Sequence, residues 1–190
     1  MLRIYLKAEN LKFKHSLFQK LIVLVPLALV LASIVLIYAG MGFGIFSSVM
    51  VCNWCMPIAS LSIVFLCHML NHKDQKHQYR TLYSLPIDLK KTFISKTILA
   101  ALNLLAISLV ISVITAATES IVSGSLLTIG QTGYYILSYC LLWSSLLWQI
   151  PFCLFLDQKI GFAGSVILNL FAGALGGLFF YLSLIHILEM

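Results

Sequence analysis

Residues 21 to 67 contain no Asp, Glu, Lys, Arg or His. That charge-free stretch is long enough for two membrane-spanning helices of ~20 residues each. Inside hydrocarbon, every backbone N–H and C=O must be satisfied within a helix or a closed barrel. The apolar runs do not alternate as barrel strands do, so helices are the spanning element. Composition agrees: 61% of the chain is hydrophobic, 9% is charged and the mean hydropathy is +1.03, whereas a soluble domain carries about 25% charged residues.

The charge-free stretch breaks at Gly40-Met41-Gly42-Phe43-Gly44, which sets span one at 21–39 and span two at 48–70. Trp54 then falls near the outer end of span two, where an indole favours the interface. Residues 71–96 form the one substantial polar loop, and span three follows at 97–117. Glu119, Ser123, Gly124 and Ser125 read as an outer linker. Span four is expected at 134–156, a tight return at Asp157-Gln158-Lys159, and a fifth apolar run at 161–187. The expected fold is an all-α polytopic membrane helix bundle with five apolar spans. Residues 1–20 form an interfacial amphipathic helix and 21–190 the transmembrane domain.

The net charge of +6 is explained by position. Arg3, Lys7, Lys12, Lys14 and Lys20 precede span one; Lys73, Lys76, Arg80, Lys90, Lys91 and Lys96 share the polar loop; Lys159 lies in the later return. With a cytoplasmic N-terminus, every one of them is inside, as the positive-inside rule requires. Anionic lipid is the partner this implies, and nucleic acid is not. Five spans would leave the C-terminus outside, which suggests a missing sixth span or a fifth run that enters and returns. No cleavable signal peptide is expected ahead of span one. Cys52, Cys55, Cys67, Cys140 and Cys153 lie in or beside apolar runs and are not a disulfide framework.

Within 1–20, Leu2, Tyr5, Leu6, Leu11, Phe13 and Phe18 alternate with lysines at roughly helical spacing, so the apolar face can sink while Lys7, Lys12 and Lys14 reach headgroups. In the polar loop, Tyr79, Leu82, Tyr83 and Pro86 are spaced i, i+3, i+4, i+7 along one helix face. A short amphipathic helix over 73–84 is expected, then a helix from 86 into span three, with Asp88 near its N-terminus. Such a helix can dock in a groove of a cytosolic protein or lie on headgroups, and the spacing serves both uses.

Three segments carry a family resemblance: Leu6-Lys7-Ala8-Glu9-Asn10-Leu11-Lys12-Phe13-Lys14, Asn53-Trp54-Cys55-Met56-Pro57, and above all Tyr79-Arg80-Thr81-Leu82-Tyr83-Ser84-Leu85-Pro86-Ile87-Asp88-Leu89-Lys90-Lys91. Over 1–160 the chain resembles the permease subunits of lantibiotic-immunity ABC transporters, which are ABC-2 type exporters. The resemblance implies six spans, a cytoplasmic N-terminus and the bacterial cell membrane. It implies a separate ABC ATP-binding subunit that carries ATP and Mg, and a second permease or a homodimer. It implies export of a lantibiotic or similar antimicrobial peptide for self-immunity. Tyr79, Arg80, Thr81, Leu82 and Tyr83 would form the coupling helix that contacts the ATPase, and Lys7, Glu9, Lys12 and Lys14 would belong to the interfacial helix. Two positions depart from the family: Cys55 stands where a second tryptophan is usual, and the chain stops at Ser183–Met190 where a last span would continue.

Other features have blander readings. Cys52-Asn53-Trp54-Cys55 lacks further metal ligands nearby. His68 and His72 share a helix face, but no H-E-x-x-H is present. Glu119 is an acid near the membrane whose neighbours suggest an outer loop. Gly40/Gly44 and Gly173/Gly177 are GxxxG pairs suited to close helix contact. There is no P-loop and no catalytic constellation, so an enzyme is not expected and the chain binds no cofactor. The alternatives to the exporter are an ATPase-independent membrane protein that binds or sequesters a ligand, and a truncated, inactive permease.

Overall fold

The computed structural model describes residues 2–13, 17–36, 39, 46–76, 88–123 and 129–188, and among them there are helices and no strands. In chain order these are α1 (Leu2–Phe13), α2 (Leu17–Leu36), α3 (Phe46–Asn53), a π-helical turn (Trp54–Ile58), α4 (Ala59–Lys76), α5 (Leu89–Ser123), α6 (Ile129–Leu146) and α7 (Gln149–Leu188).

The side chains are sorted inside-out relative to a soluble protein. Leu24, Leu31, Leu102, Val113, Leu141 and Phe171 are exposed, while Ser33, Asn71, Lys96, Ser112, Asp157 and Asn169 are buried. Such an apolar exterior would aggregate in water; against lipid it is the matched surface. The interior is still packed. Leu104, Ile107 and Ile111 are wholly buried at helical spacing on α5, against Trp54, Ile63, Leu70, Tyr139 and Leu154. The hydroxyls on the buried face of α5 cost little, because Ser108, Ser112 and Thr115 each donate to a carbonyl one turn back.

Among the described residues, three helical stretches are long and apolar enough by length and composition to cross a membrane, Phe18–Leu36, Leu89–Ile121 and Gln149–Gly173, the last of them folded back at Gly161, with Ala59–His72 a shorter apolar helix. The remaining expected spans are present in pieces, each with a physical cause. Span two is α3, the π turn and α4. Pro57 has no N–H to offer the Asn53 carbonyl, and the Ala59 N–H reaches back five residues to the Trp54 carbonyl instead. Span four is α6 continued by the first leg of α7, with a turn at 147–148 where the Leu147 N–H bonds the Ser144 carbonyl. The Thr115–Tyr139 and Ala101–Trp143 contacts run α6 antiparallel to α5.

α7 is a hairpin. Gly161 has φ 81 and ψ −179, which no other residue type adopts readily. The legs fold back so that Gln149 and Cys153 both reach Asn169. The expected tight return is therefore real but turns at Gly161; Asp157 is still helical and faces inward.

Four further expectations are corrected. Trp54 is at no interface; it is fully buried, and its Nε1 has no hydrogen-bond partner among the described residues. Glu119 is half-buried in α5 rather than in a linker, since nothing from Leu89 to Ser123 breaks the helix. At 35 residues α5 is roughly 50 Å long, longer than the ~30 Å hydrocarbon core, so it cannot lie wholly within that core. Residues 73–76 continue α4 and do not start a new helix, because Lys73-Asp74-Gln75-Lys76 holds no Gly or Pro. The helix into span three starts at Leu89 rather than 86. Asp88 caps it, accepting from the Lys90 N–H at 3.1 Å.

Candidate functional site

One end of the bundle gathers α1, the two helices that flank segment 77–87, and the α7 turn. α1 packs against α5, and the Asp88 N–H points to the Tyr5 hydroxyl at 3.5 Å. The Lys91 amine lies 3.0 Å from Asp88 and, with the cap hydrogen bonds, holds that carboxyl below the usual carboxylate range. α1 is turned so that Glu9 is buried while Lys7 and Leu11 are exposed. An acid inside and a leucine outside is the orientation expected where the outer neighbour is lipid. Lys20, Lys90 and Lys159 are exposed, on the first turns of α2 and α5 and beside the α7 turn.

Beneath this basic rim is a buried polar cluster. The Asp157 carboxylate, 1% exposed, accepts from Asn71 Nδ2 at 3.0 Å. Its other oxygen lies 2.9 Å from His68 Nδ1, the donor in the tautomer that suits a carboxylate. Asn71 Nδ2 also reaches the Leu154 carbonyl at 3.1 Å. Its Oδ1 accepts from Lys96 Nζ at 3.2 Å and Gln158 Nε2 at 3.4 Å. Phe162 lies against the His68 ring at 4.6 Å between centroids and closes that side. Lys96 is 3% exposed and lies inside the bundle, not in a loop: α5 has already run two turns when it reaches that position.

The polar contacts continue between α4 and the two legs of α7. Gln149 Nε2 donates to Asn169 Oδ1 at 2.7 Å and to Ser60 Oγ at 3.4 Å. Cys153 Sγ donates to the same Asn169 oxygen at 3.3 Å, and Asn169 Nδ2 donates to the Ser165 carbonyl at 2.8 Å. Among the described residues no group of three or more His, Cys, Asp or Glu is arranged to hold a metal ion; the His68 and His72 rings stand 5.4 Å apart. Cys52 and Cys55 are free, exposed thiols.

Tyr79, Arg80, Thr81, Leu82 and Tyr83 lie outside the described residues, as does Lys14. Lys7, Glu9 and Lys12 lie on α1. Asp157, Asn71, His68 and Lys96 are brought together although sequence reasoning assigned them to three separate features. The usable signal was Asp157 itself, an acid flanked by long apolar runs on both sides.

An inside-out helical bundle with a basic rim at one end and paired polar groups within it defines a polytopic membrane protein. The family model of the ABC-2 family transporter proteins matches residues 5–176, nearly the whole chain, and the chain belongs to that family. It is a membrane component of transport of the ABC-2 permease type. No individually curated protein and no solved structure matches it.

Proposed function

We propose that this chain is the permease subunit of a bacterial ABC exporter that expels a lantibiotic or a similar amphiphilic antimicrobial peptide. The observation that carries the reading is the family match over residues 5–176. An ABC-2 permease works with an ATP-binding subunit, so ATP and Mg belong to that partner and hydrolysis occurs there. By this reading Tyr79–Tyr83 serve as the coupling helix that contacts it, and Lys7, Glu9, Lys12 and Lys14 belong to the interfacial segment. A second permease or a second copy of this chain completes the pathway. The N-terminus is cytoplasmic, which puts the basic rim against anionic lipid and the ATPase. The peptide substrate rests on the resemblance of Tyr79–Lys91 to lantibiotic-immunity permeases.

The test is a pull-down of the tagged chain from gently solubilised native membranes, with mass spectrometry of what accompanies it. A stoichiometric ABC ATPase that is lost or uncoupled in Tyr83→Asp supports the reading. Reproducible absence of an ATPase, from folded chain, refutes it and favours an ATPase-independent membrane protein.

A further inference from the structure

We propose that Asp157 is a positioning residue that carries movement of segment 77–87 into the α7 hairpin. The inference rests on the reading of that segment as the ATPase contact.

The segment leaves α4 at Lys76 and enters α5 at Leu89. A partner that pushes on it moves the ends of those two helices first. The α4 end reaches one hidden carboxylate directly, and the α5 end reaches it through Asn71. From α4, His68 and Asn71 bond Asp157 directly at 2.9 and 3.0 Å. From α5, Lys96 bonds Asn71 at 3.2 Å, so Asn71 joins the two flanks to the hairpin. Asp157 is four residues before Gly161, where the hairpin turns. The Leu154 carbonyl, accepting from Asn71, fixes the preceding turn of the same leg.

The chemistry of these contacts decides what moves with what. Apolar helix faces slide past one another at small cost, since one methyl contact replaces another. A buried carboxylate is not readily left without its donors, because an uncompensated charge in the interior is strongly disfavoured. The ends of α4 and α5 and the leg 149–160 therefore travel as one body. Gly161 turns that leg into the leg 162–188, which Gln149 and Cys153 also hold through Asn169, so the displacement reaches both legs of the hairpin. The further contact of Gln149 with Ser60 keeps the first leg on α4 at its other end.

The test uses the intact complex, purified with its own ATPase and placed in lipid nanodiscs. Lys159→Cys puts a thiol at an exposed position beside the hairpin turn. Its reaction with a water-soluble maleimide is followed at that peptide by mass spectrometry, with and without ATP and vanadate. The reaction rate should change severalfold on vanadate trapping. Adding Asp157→Asn should abolish that change while basal ATP hydrolysis and subunit stoichiometry stay at the parental level; a merely structural role would lower these together. Asn71→Leu leaves the Asp157–His68 pair intact and is the second variant should Asp157→Asn not assemble; it should also lose the response.

A parental complex whose reporter ignores nucleotide overturns the proposal. So does a folded Asp157→Asn or Asn71→Leu complex that responds as the parent does. Tyr83→Asp, run alongside, separates the two levels. If it uncouples hydrolysis while Asp157→Asn keeps the full response, only the relay through Asp157 is wrong. If Tyr83→Asp changes neither ATPase capture nor the response, the reading of the segment falls and the relay falls with it.

Discussion

Replacing Gly161 with alanine isolates a single physical cost. Nothing lies within 4 Å of a Cβ built at Gly161, so the substitution meets no steric neighbour. What remains is the backbone, held at φ 81 and ψ −179 in a region that is essentially glycine-only. Holding an alanine there costs about 1–3 kcal/mol, or roughly 5- to 150-fold in the population of the turned hairpin. The helix legs cannot relieve it, because Gln149 and Cys153 tie the first leg to Asn169 on the second. Gly133 on α6 is the control. It also has open space around a built Cβ, but it lies within a helix, where alanine is favoured over glycine by about 0.5–1 kcal/mol. The two changes therefore have opposite signs although both add one methyl group. Reversible SDS titration of the purified chain, followed by tryptophan fluorescence, measures both. Equal stability of Gly161→Ala and the parent would refute the reversal at Gly161, and loss of stability in Gly133→Ala would refute the use of open space as a criterion.

Three further outcomes follow from the same geometry. Asn169→Cys places a thiol next to the native Cys153, whose Sγ lies 3.3 Å from the Asn169 side chain; mild oxidation should link the two legs, and failure to cross-link in folded protein would contradict the antiparallel hairpin. Tyr139→Phe removes the buried 3.0 Å contact with Thr115 and should cost about 0.6 kcal/mol, the average for interhelical hydrogen bonds in membranes, because Thr115 keeps its bond to the Ile111 carbonyl. Asp88 is held below its ordinary range by Lys91 and the cap. Its contribution is complete above the ordinary carboxylate pKa and is lost as pH falls through the depressed value; hydrogen exchange at the first turn of α5 should rise there, and Asp88→Ala should remove the pH dependence.

Much of the architecture was legible because membrane helices are written in composition. The empty interval at 21–67 and the basic residues near 90 and 159 mark ends of spans without any tertiary information; the glycines at 40–44 lie outside the described residues. The π turn was not legible in the same way. Pro57 announces a disturbance, but whether the chain kinks or inserts a residue depends on what packs around Trp54. Trp54 itself misled, since an indole near a span end usually prefers the interface, and here it fills the core where α3 meets α4.

The buried cluster was harder to see for a reason that concerns charge counting itself. In the sequence Lys96 and Asp157 each stand at the edge of a polar interval, which is where a lysine or an acid beside an apolar run normally belongs. That rule treats each helix as alone in lipid. Once helices pack, a residue one or two turns inside the boundary can exchange water for a partner on a neighbouring helix, as Lys96 does with Asn71 and Asp157 with Asn71 and His68. The signature of that exchange is a set of polar residues on different helices, each near the same membrane face and each too deep for its loop. His68, Asn71, Lys96 and Asp157 satisfy it. Apart from Asp157 none is informative singly, and their convergence at the end where α4 stops and α5 starts is what distinguishes them from four edge residues.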